Sequence, residues 1–319
     1  MPLLDMPLEK LKVYQGRNPK PADFDEFWDN QLAKLNEIDP KIEIREANYK
    51  SKFADAYEIF FTSTQGARIY AKMLKPKNVT GKLPTLLTYH GLSGSCWSFN
   101  GMLAYASQGF CVFSMDARGQ GGFSQDVGGA PGTTNVTFFM RGIEGTPEQM
   151  YGVNLFLDTA MMVKVAKSMD FVDGTRMGVC GGSQGGALSV ACAALCPEIK
   201  LCAPDYPYMS DYKRVWEMDQ AERAYDGLKW YFKRHDPRHE REEEIFLKLG
   251  YIDLQHLAPR IKAEFLMGTG LMDNVCPPST QFAIYNKVTS KKNVLIYPDF
   301  GHEGLKGHDE IVFNFMSNL

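Results

Sequence analysis

The sequence predicts an α/β fold, a mostly parallel sheet with helices on both faces. Two observations carry that reading. The short runs Thr85–Tyr89, Cys111–Met115 and Met177–Cys180 are almost continuously apolar, as strands covered on both faces are. Helix-length stretches separate them, giving the βα alternation that parallel crossovers need. The 319 residues, 44% hydrophobic and 23% charged, have the composition of an ordinary folded chain with ample material for a core.

Taken in order, Asp23 with Glu26 three positions on reads as a capping box, opening a helix to about Leu35. Ala56–Thr62 and Arg68–Lys75 are β-rich and flank a Ser63–Gly66 turn, which predicts an antiparallel hairpin. Between two of the parallel strands, Val153, Leu157, Met161 and Val165 recur every four residues and predict a helix with one apolar stripe. Later strands are expected at Leu201–Ala203, Glu264–Gly268 and Asn293–Tyr297, with a helix from Pro277 to about Val288 and a final one from about Asp309. The alternation is interrupted once, over residues 205–257. That segment is rich in Tyr, Trp and charge and too long for a βα loop, so it reads as a helical insertion, a cap over a site. The whole chain, 1–319, is expected to be a single domain.

Thirty-five Lys and Arg against 38 Asp and Glu give a net charge of −3, which provides no basic field for a nucleic-acid partner. The N-terminus lacks a basic stretch followed by an apolar one, and nowhere do eighteen apolar residues run together. The chain is therefore expected to be neither secreted nor membrane-bound. The seven cysteines lie mostly in apolar runs, as buried free thiols in a reducing compartment do. No CxxC pair exists, and Cys192 and Cys196 share a helix of small residues, so no metal site is expected.

The chemistry concentrates at Gly181-Gly182-Ser183-Gln184-Gly185-Gly186, a GxSxG match placed between a strand and a helix. With Gly and Ser each at about 7%, such a match arises by chance roughly 0.1 times in a chain of this size, so its context must carry the assignment. A glycine-rich phosphate loop is the alternative, but neither a Lys nor a GxGxxG accompanies it. In the nucleophile-elbow reading the tight turn needs glycine at its outer positions and projects Ser183 alone.

A serine hydroxyl needs an imidazole to take its proton and a carboxylate to orient that imidazole. Of the five histidines after Ser183, only His302 directly follows a strand; His308 is the competitor. His235 and His239 sit in a charge run that reads as a solvated helix start, and His256 reads as surface. Asp273, after the strand Glu264–Gly268, is the candidate acid, and Asp299 the alternative that more simply shapes a turn. Ser, acid and His in that order is the α/β-hydrolase arrangement. The oxyanion donors are then the backbone N–H groups of Gln184 and of Tyr89, which opens Tyr89-His90-Gly91-Leu92-Ser93-Gly94. His90, before a glycine turn, is expected to stabilise that loop.

Together these segments resemble the cephalosporin C deacetylase and acetyl xylan esterase group of carbohydrate esterases. The resemblance rests on the N-terminal Met1–Leu11 segment with Phe24–Trp28, Arg118-Gly119-Gln120, Gly181–Gly186, Asp205–Tyr208, Gly270–Asp273 with Cys276–Thr280, and Gly301-His302-Glu303. It implies Ser183, Asp273 and His302 as catalytic residues, and the Tyr89 and Gln184 amides as oxyanion hole. Tyr89, Tyr206 and Pro207 are expected to touch substrate. It further implies no metal or organic cofactor, a cytoplasmic homohexamer, and small acetylated sugars (xylo-oligosaccharides) or cephalosporin C as substrates. The chain departs from the family at Gln149–Val153, where a run of tyrosines closed by Arg is usual. Arg118 reads as structural. A lactone hydrolase or peptidase, or a non-catalytic interaction protein on the same scaffold, stays open as an alternative.

Overall fold

The computed structural model describes residues 4–127, 137–220 and 223–319. Met1, Pro2 and Leu3 of the family-like N-terminal segment, and residues 221–222 of the insertion, lie outside the described residues.

Nine strands, β1 (Glu43–Glu46), β2 (Ala54–Thr62), β3 (Arg68–Pro76), β4 (Leu83–Tyr89), β5 (Cys111–Met115), β6 (Val172–Gly182), β7 (Ile199–Asp205), β8 (Glu264–Gly270) and β9 (Lys292–Tyr297), form one sheet. Its order is β1-β2-β3-β5-β4-β6-β7-β8-β9. The first three strands and their junction with β5 are antiparallel, and every pair from β5 through β9 is parallel. The predicted hairpin is present as β2–β3, in register from Ala54↔Pro76 to Thr62↔Arg68. The short edge strand β1, Glu-Ile-Arg-Glu and exposed throughout, has no apolar face and so gave no sequence signal. Its charges suit an edge.

Neighbouring residues of the central strands belong to different cores. Leu87, Phe113, Val179, Cys202 and Phe265 pack on one face, and Leu86, Val112, Cys180, Leu201 and Leu266 on the other. Side chains alternate across a strand, so a strand covered on both sides must be apolar at every position. The first face carries α2 (Phe24–Glu37), α4 (Tyr151–Lys167) and α5 (Gln184–Leu195); the second carries α3 (Phe99–Ser107) and α11 (His308–Met316). A short α1 (Leu8–Leu11) precedes them.

Two local expectations are corrected. The Asp23 side chain makes no cap bond to α2; its Oδ1 accepts the Tyr251 hydroxyl at 2.6 Å, so the capping box is replaced by a tertiary contact. The helix α4 is not striped. All of it is buried except Lys164 and Lys167, because it lies between α2, α5 and the insertion.

The insertion is helical as expected, with α6 (Tyr212–Glu217), α7 (Asp226–His235), α8 (Glu242–Leu249) and α9 (Leu254–Leu257). Its aromatics Tyr208, Tyr212, Tyr225 and Phe232 are buried within the main core, and Phe139 stacks on Tyr212 with ring centres 5.2 Å apart. His235 and His239 are exposed. His256 is not a surface residue. It is 6% exposed, its Nε2 lies 3.2 Å from the Pro19 carbonyl, and burial lowers its pKa to about 4, so it is a neutral core donor. The helix α10 (Pro278–Lys287) leads into β9. No helix among the described residues is long and apolar enough to cross a membrane, and all seven cysteines are buried and free.

Candidate active site

The site forms at the carboxyl ends of the parallel strands, where α/β sheets place their ligands. Ser183 stands between β6 and α5 at φ 58° and ψ −119°, a conformation that costs a non-glycine residue about 1–3 kcal/mol. It is pinned from both sides. Its N–H donates to the Asp205 carbonyl at 3.0 Å, and its carbonyl accepts from Ala187 N at 2.9 Å and Tyr208 N at 3.1 Å.

Glycine is required where the elbow crosses β4. A Cβ on Gly181 would stand 2.7 Å from the Tyr89 carbonyl oxygen, and one on Gly185 would overlap that same oxygen. Because the obstruction is backbone, Gly185→Ala is expected to displace the elbow. Any reaction that depends on the Ser183 hydroxyl should slow at least ~10²-fold, the loss a misplacement of about 1 Å brings, with far-ultraviolet circular dichroism unchanged.

The three sequence candidates meet. His302 Nε2 lies 2.9 Å from Ser183 Oγ, and His302 Nδ1 lies 2.9 Å from Asp273 Oδ2. The carboxylate fixes the tautomer: Nδ1–H donates to Asp273, which leaves Nε2 to accept the serine proton. Asp273 is fully buried. Its Oδ1 accepts Val275 N at 2.9 Å and Cys276 N at 2.8 Å, and Gln281 Nε2 approaches Oδ2 at 3.3 Å. These bonds keep the carboxylate facing the imidazole. Next to His302, Glu303 folds back so that its Oε1 accepts Gly301 N at 3.0 Å, shaping the turn that presents the ring.

Arg118-Gly119-Gln120 works from behind. Arg118 is fully buried and grips Asp158 of α4 through Nε–Oδ2 at 2.7 Å and Nη2–Oδ1 at 2.5 Å; Nη2 also donates to Thr64 Oγ1 at 2.9 Å. Burial opposes its charge, and the Asp158 carboxylate more than compensates, raising its pKa. The structural role expected of Arg118 fits this geometry. Gln120 exchanges side-chain hydrogen bonds with Gln184 at 2.7 and 3.0 Å, donates to the Tyr151 hydroxyl at 2.9 Å and accepts Ser93 N at 2.8 Å. It thereby ties the loop after β4 to the residue after Ser183. Tyr151, inside the segment that departs from the family pattern, donates its hydroxyl to the Arg118 carbonyl at 2.7 Å. Asp158 and Gln281 were not singled out from sequence, and Gln120 and Tyr151 were noted only as parts of a family motif and of a departure from it. The one available signal was Asp158, a lone charge in the apolar stretch 153–163.

The other candidates fall elsewhere. His90 is a loop anchor: Nδ1 faces the Gly91 carbonyl at 2.7 Å, and Nε2 accepts Ala117 N at 2.9 Å. Burial lowers its pKa, which suits the neutral form these bonds require. His308 pairs with Asp205 at 2.6 Å and with the Tyr297 hydroxyl at 3.0 Å. Asp299 is exposed in the turn after β9. Tyr206 flanks the site, its ring centre 4.9 Å from that of His302. Burial, with Asp205 and Asp273 nearby, pushes its hydroxyl up to about 12, so it remains a donor. Two residues expected to touch substrate have their side chains in the core. The Tyr89 side chain is 1% exposed and packs against Cys192, Cys196 and Cys202, because its strand position points it into the core beneath α5. Pro207 is buried with its Cα behind Gly186, where it supports the elbow.

Comparison with known proteins follows the same lines. The sequence model of the acetyl xylan esterase family matches residues 1–319. Acetyl esterase Axe7A of Xylanibacter ruminicola is 27% identical over 302 residues, which cover 91% of this chain. The match spans 64% of that relative's length. Among solved structures, acetyl xylan esterase 1 from Thermoanaerobacterium sp. JW/SL YS485 is 49% identical, with a TM-score of 0.97 and 99% of each chain covered. An acetyl xylan esterase from Paenibacillus sp. R4 is 36% identical, with a TM-score of 0.94, covering 98% of this chain and 99% of that one.

Proposed function

This chain belongs to the acetyl xylan esterase family, and from that premise we propose that it is a serine carboxylesterase removing acetyl groups from small acetylated sugars such as xylo-oligosaccharides. The observation that carries the reading is the continuous Ser183–His302–Asp273 hydrogen-bonded line, 2.9 Å at each link.

In this mechanism His302 Nε2 takes the Ser183 Oγ proton as the oxygen attacks the acetyl carbonyl carbon. The oxyanion is met by the Gln184 N–H at the start of α5 and by the Tyr89 N–H at the end of β4. Collapse breaks the bond to the sugar oxygen, which leaves with the proton from His302. Water then repeats the sequence on acetyl-Ser183 and releases acetate. Tyr206, beside His302, is the substrate-facing side chain, and no step needs a metal or organic cofactor. Cephalosporin C as a second substrate, a cytoplasmic location and a homohexamer complete the proposal, resting on the family resemblance; the buried free thiols agree with a reducing compartment. The chain acts as one domain, with residues 205–257 packed into it as a cap.

Hydrolysis of acetylated xylo-oligosaccharides, with kcat/KM falling steeply from acetyl to butyryl esters of one alcohol, tests the assignment. The expected fall is at least ~10-fold per pair of added methylenes, since each methylene in or out of a fitted pocket is worth about 1–3 kcal/mol. A flat or rising series would assign the triad to longer acyl groups.

A further inference from the structure

Beside the proposed triad lies a thiol that the reaction does not use. Cys276 is fully buried, and its Sγ, a carboxylate oxygen of Asp273 and a ring nitrogen of His302 lie within 4.8 Å of one another. Gln281, also fully buried, donates Nε2 to the Cys276 carbonyl at 2.6 Å, while its Oε1 has no hydrogen-bond partner. Thiolate sulfur, imidazole nitrogen and carboxylate oxygen are the donor types that zinc takes. No other such group of three donors is this tight among the described residues.

We propose that Cys276, Asp273 and His302 form an inhibitory site for a divalent cation of zinc's class, which on binding withdraws the imidazole from proton transfer. The inhibition rests on the esterase reading; the binding does not. Donors on a tetrahedral zinc, with bonds of about 2.0–2.3 Å, stand roughly 3.3–3.8 Å apart, so the group, within 4.8 Å, must contract by up to about 1.5 Å. His302 has the freedom to do this, since its side chain is 20% exposed on a loop while Asp273 is enclosed. The metal–sulfur bond forms as the thiol proton leaves to water, and a ring nitrogen that ligates binds through its lone pair, any proton on it moving to the other ring nitrogen or to water. The ion is not a cofactor here, because by ligating the ring and Asp273 it breaks the Nδ1–Oδ2 hydrogen bond that aims His302 at Ser183.

The test uses the full chain and the metal alone. Zn2+ should slow hydrolysis of 4-nitrophenyl acetate, and EDTA should restore it. Cd2+ should produce an ultraviolet thiolate-to-metal charge-transfer band saturating at one ion per chain. In Cys276→Ser the band should vanish and half-inhibition should need at least ~10-fold more Zn2+, the scale on which losing a metal-site partner weakens binding. Cys196→Ala, at a thiol remote from the triad, should keep both responses. An unchanged Zn2+ or Cd2+ response in Cys276→Ser overturns the proposal, and Cys276→Ala gives the same decision should the serine variant not fold. A chain that cleaves no acetate ester would remove the esterase reading, while the cadmium titration would still decide the site.

Discussion

Replacing Ser183 with Ala is expected to lower acetate-ester turnover by about 10⁴- to 10⁶-fold, with the residue left over coming from substrate binding and oxyanion donors. The hydroxyl lies 2.9 Å from His302 Nε2, so its loss removes the covalent route and not merely a contact. His302→Ala should cost a similar amount, and the double variant should be about as slow as either single one, because residues that act as a unit are not additive. Labelling by a fluorophosphonate probe should disappear with the serine. Retention of more than a hundredth of the turnover in Ser183→Ala would mean that the acyl group goes elsewhere.

Asp158→Ala should be the most damaging substitution away from the reacting atoms. Arg118 and Asp158 both have fully buried side chains, and removing Asp158 leaves the guanidinium to the more distant Asp126 carboxylate, 4.0 Å from Nη1, where water cannot reach it. Breaking such a pair costs about 3–5 kcal/mol, a large part of the total stability of a domain. Urea titration should show the midpoint falling with little change in slope. The combination Arg118→Met with Asp158→Leu should recover much of the loss, because burying neither charge removes the penalty. For contrast, Lys167→Ala, which breaks the half-exposed pair with Glu198, should shift stability by less than about 1 kcal/mol. If Asp158→Ala proved equally mild, Arg118 would have to be solvated by some other route.

Much of the fold was legible because burial on both faces leaves a plain trace. The runs at 85–89, 111–115 and 177–180 are apolar at nearly every position, and the structure puts alternate side chains of each into two different cores. The meeting of Ser183, Asp273 and His302 was legible for a related reason: each lies in the connection that follows a strand, and a strand end is a place the sequence marks. What stayed hidden has no periodic signature. Nothing local to Gln120 says that it will join Ser93 and Gln184, residues 27 and 64 positions away. The failures have the same root. Asp23 has the right neighbours for a cap, yet Tyr251, 228 positions on, takes its oxygen. Tyr89 sits at the right strand end, but the alternation of the strand sends its ring inward.

The backbone at Ser183 carries a wider consequence. A chain selected only to last would place glycine there, since glycine visits positive φ at no steric cost, and would gain back the ~1–3 kcal/mol that the present conformation consumes. That a hydroxyl-bearing residue is kept instead marks the position as one where durability and reactivity pull in opposite directions, with the surrounding hydrogen bonds from Ala187 and Tyr208 acting as the restraint that makes the compromise hold.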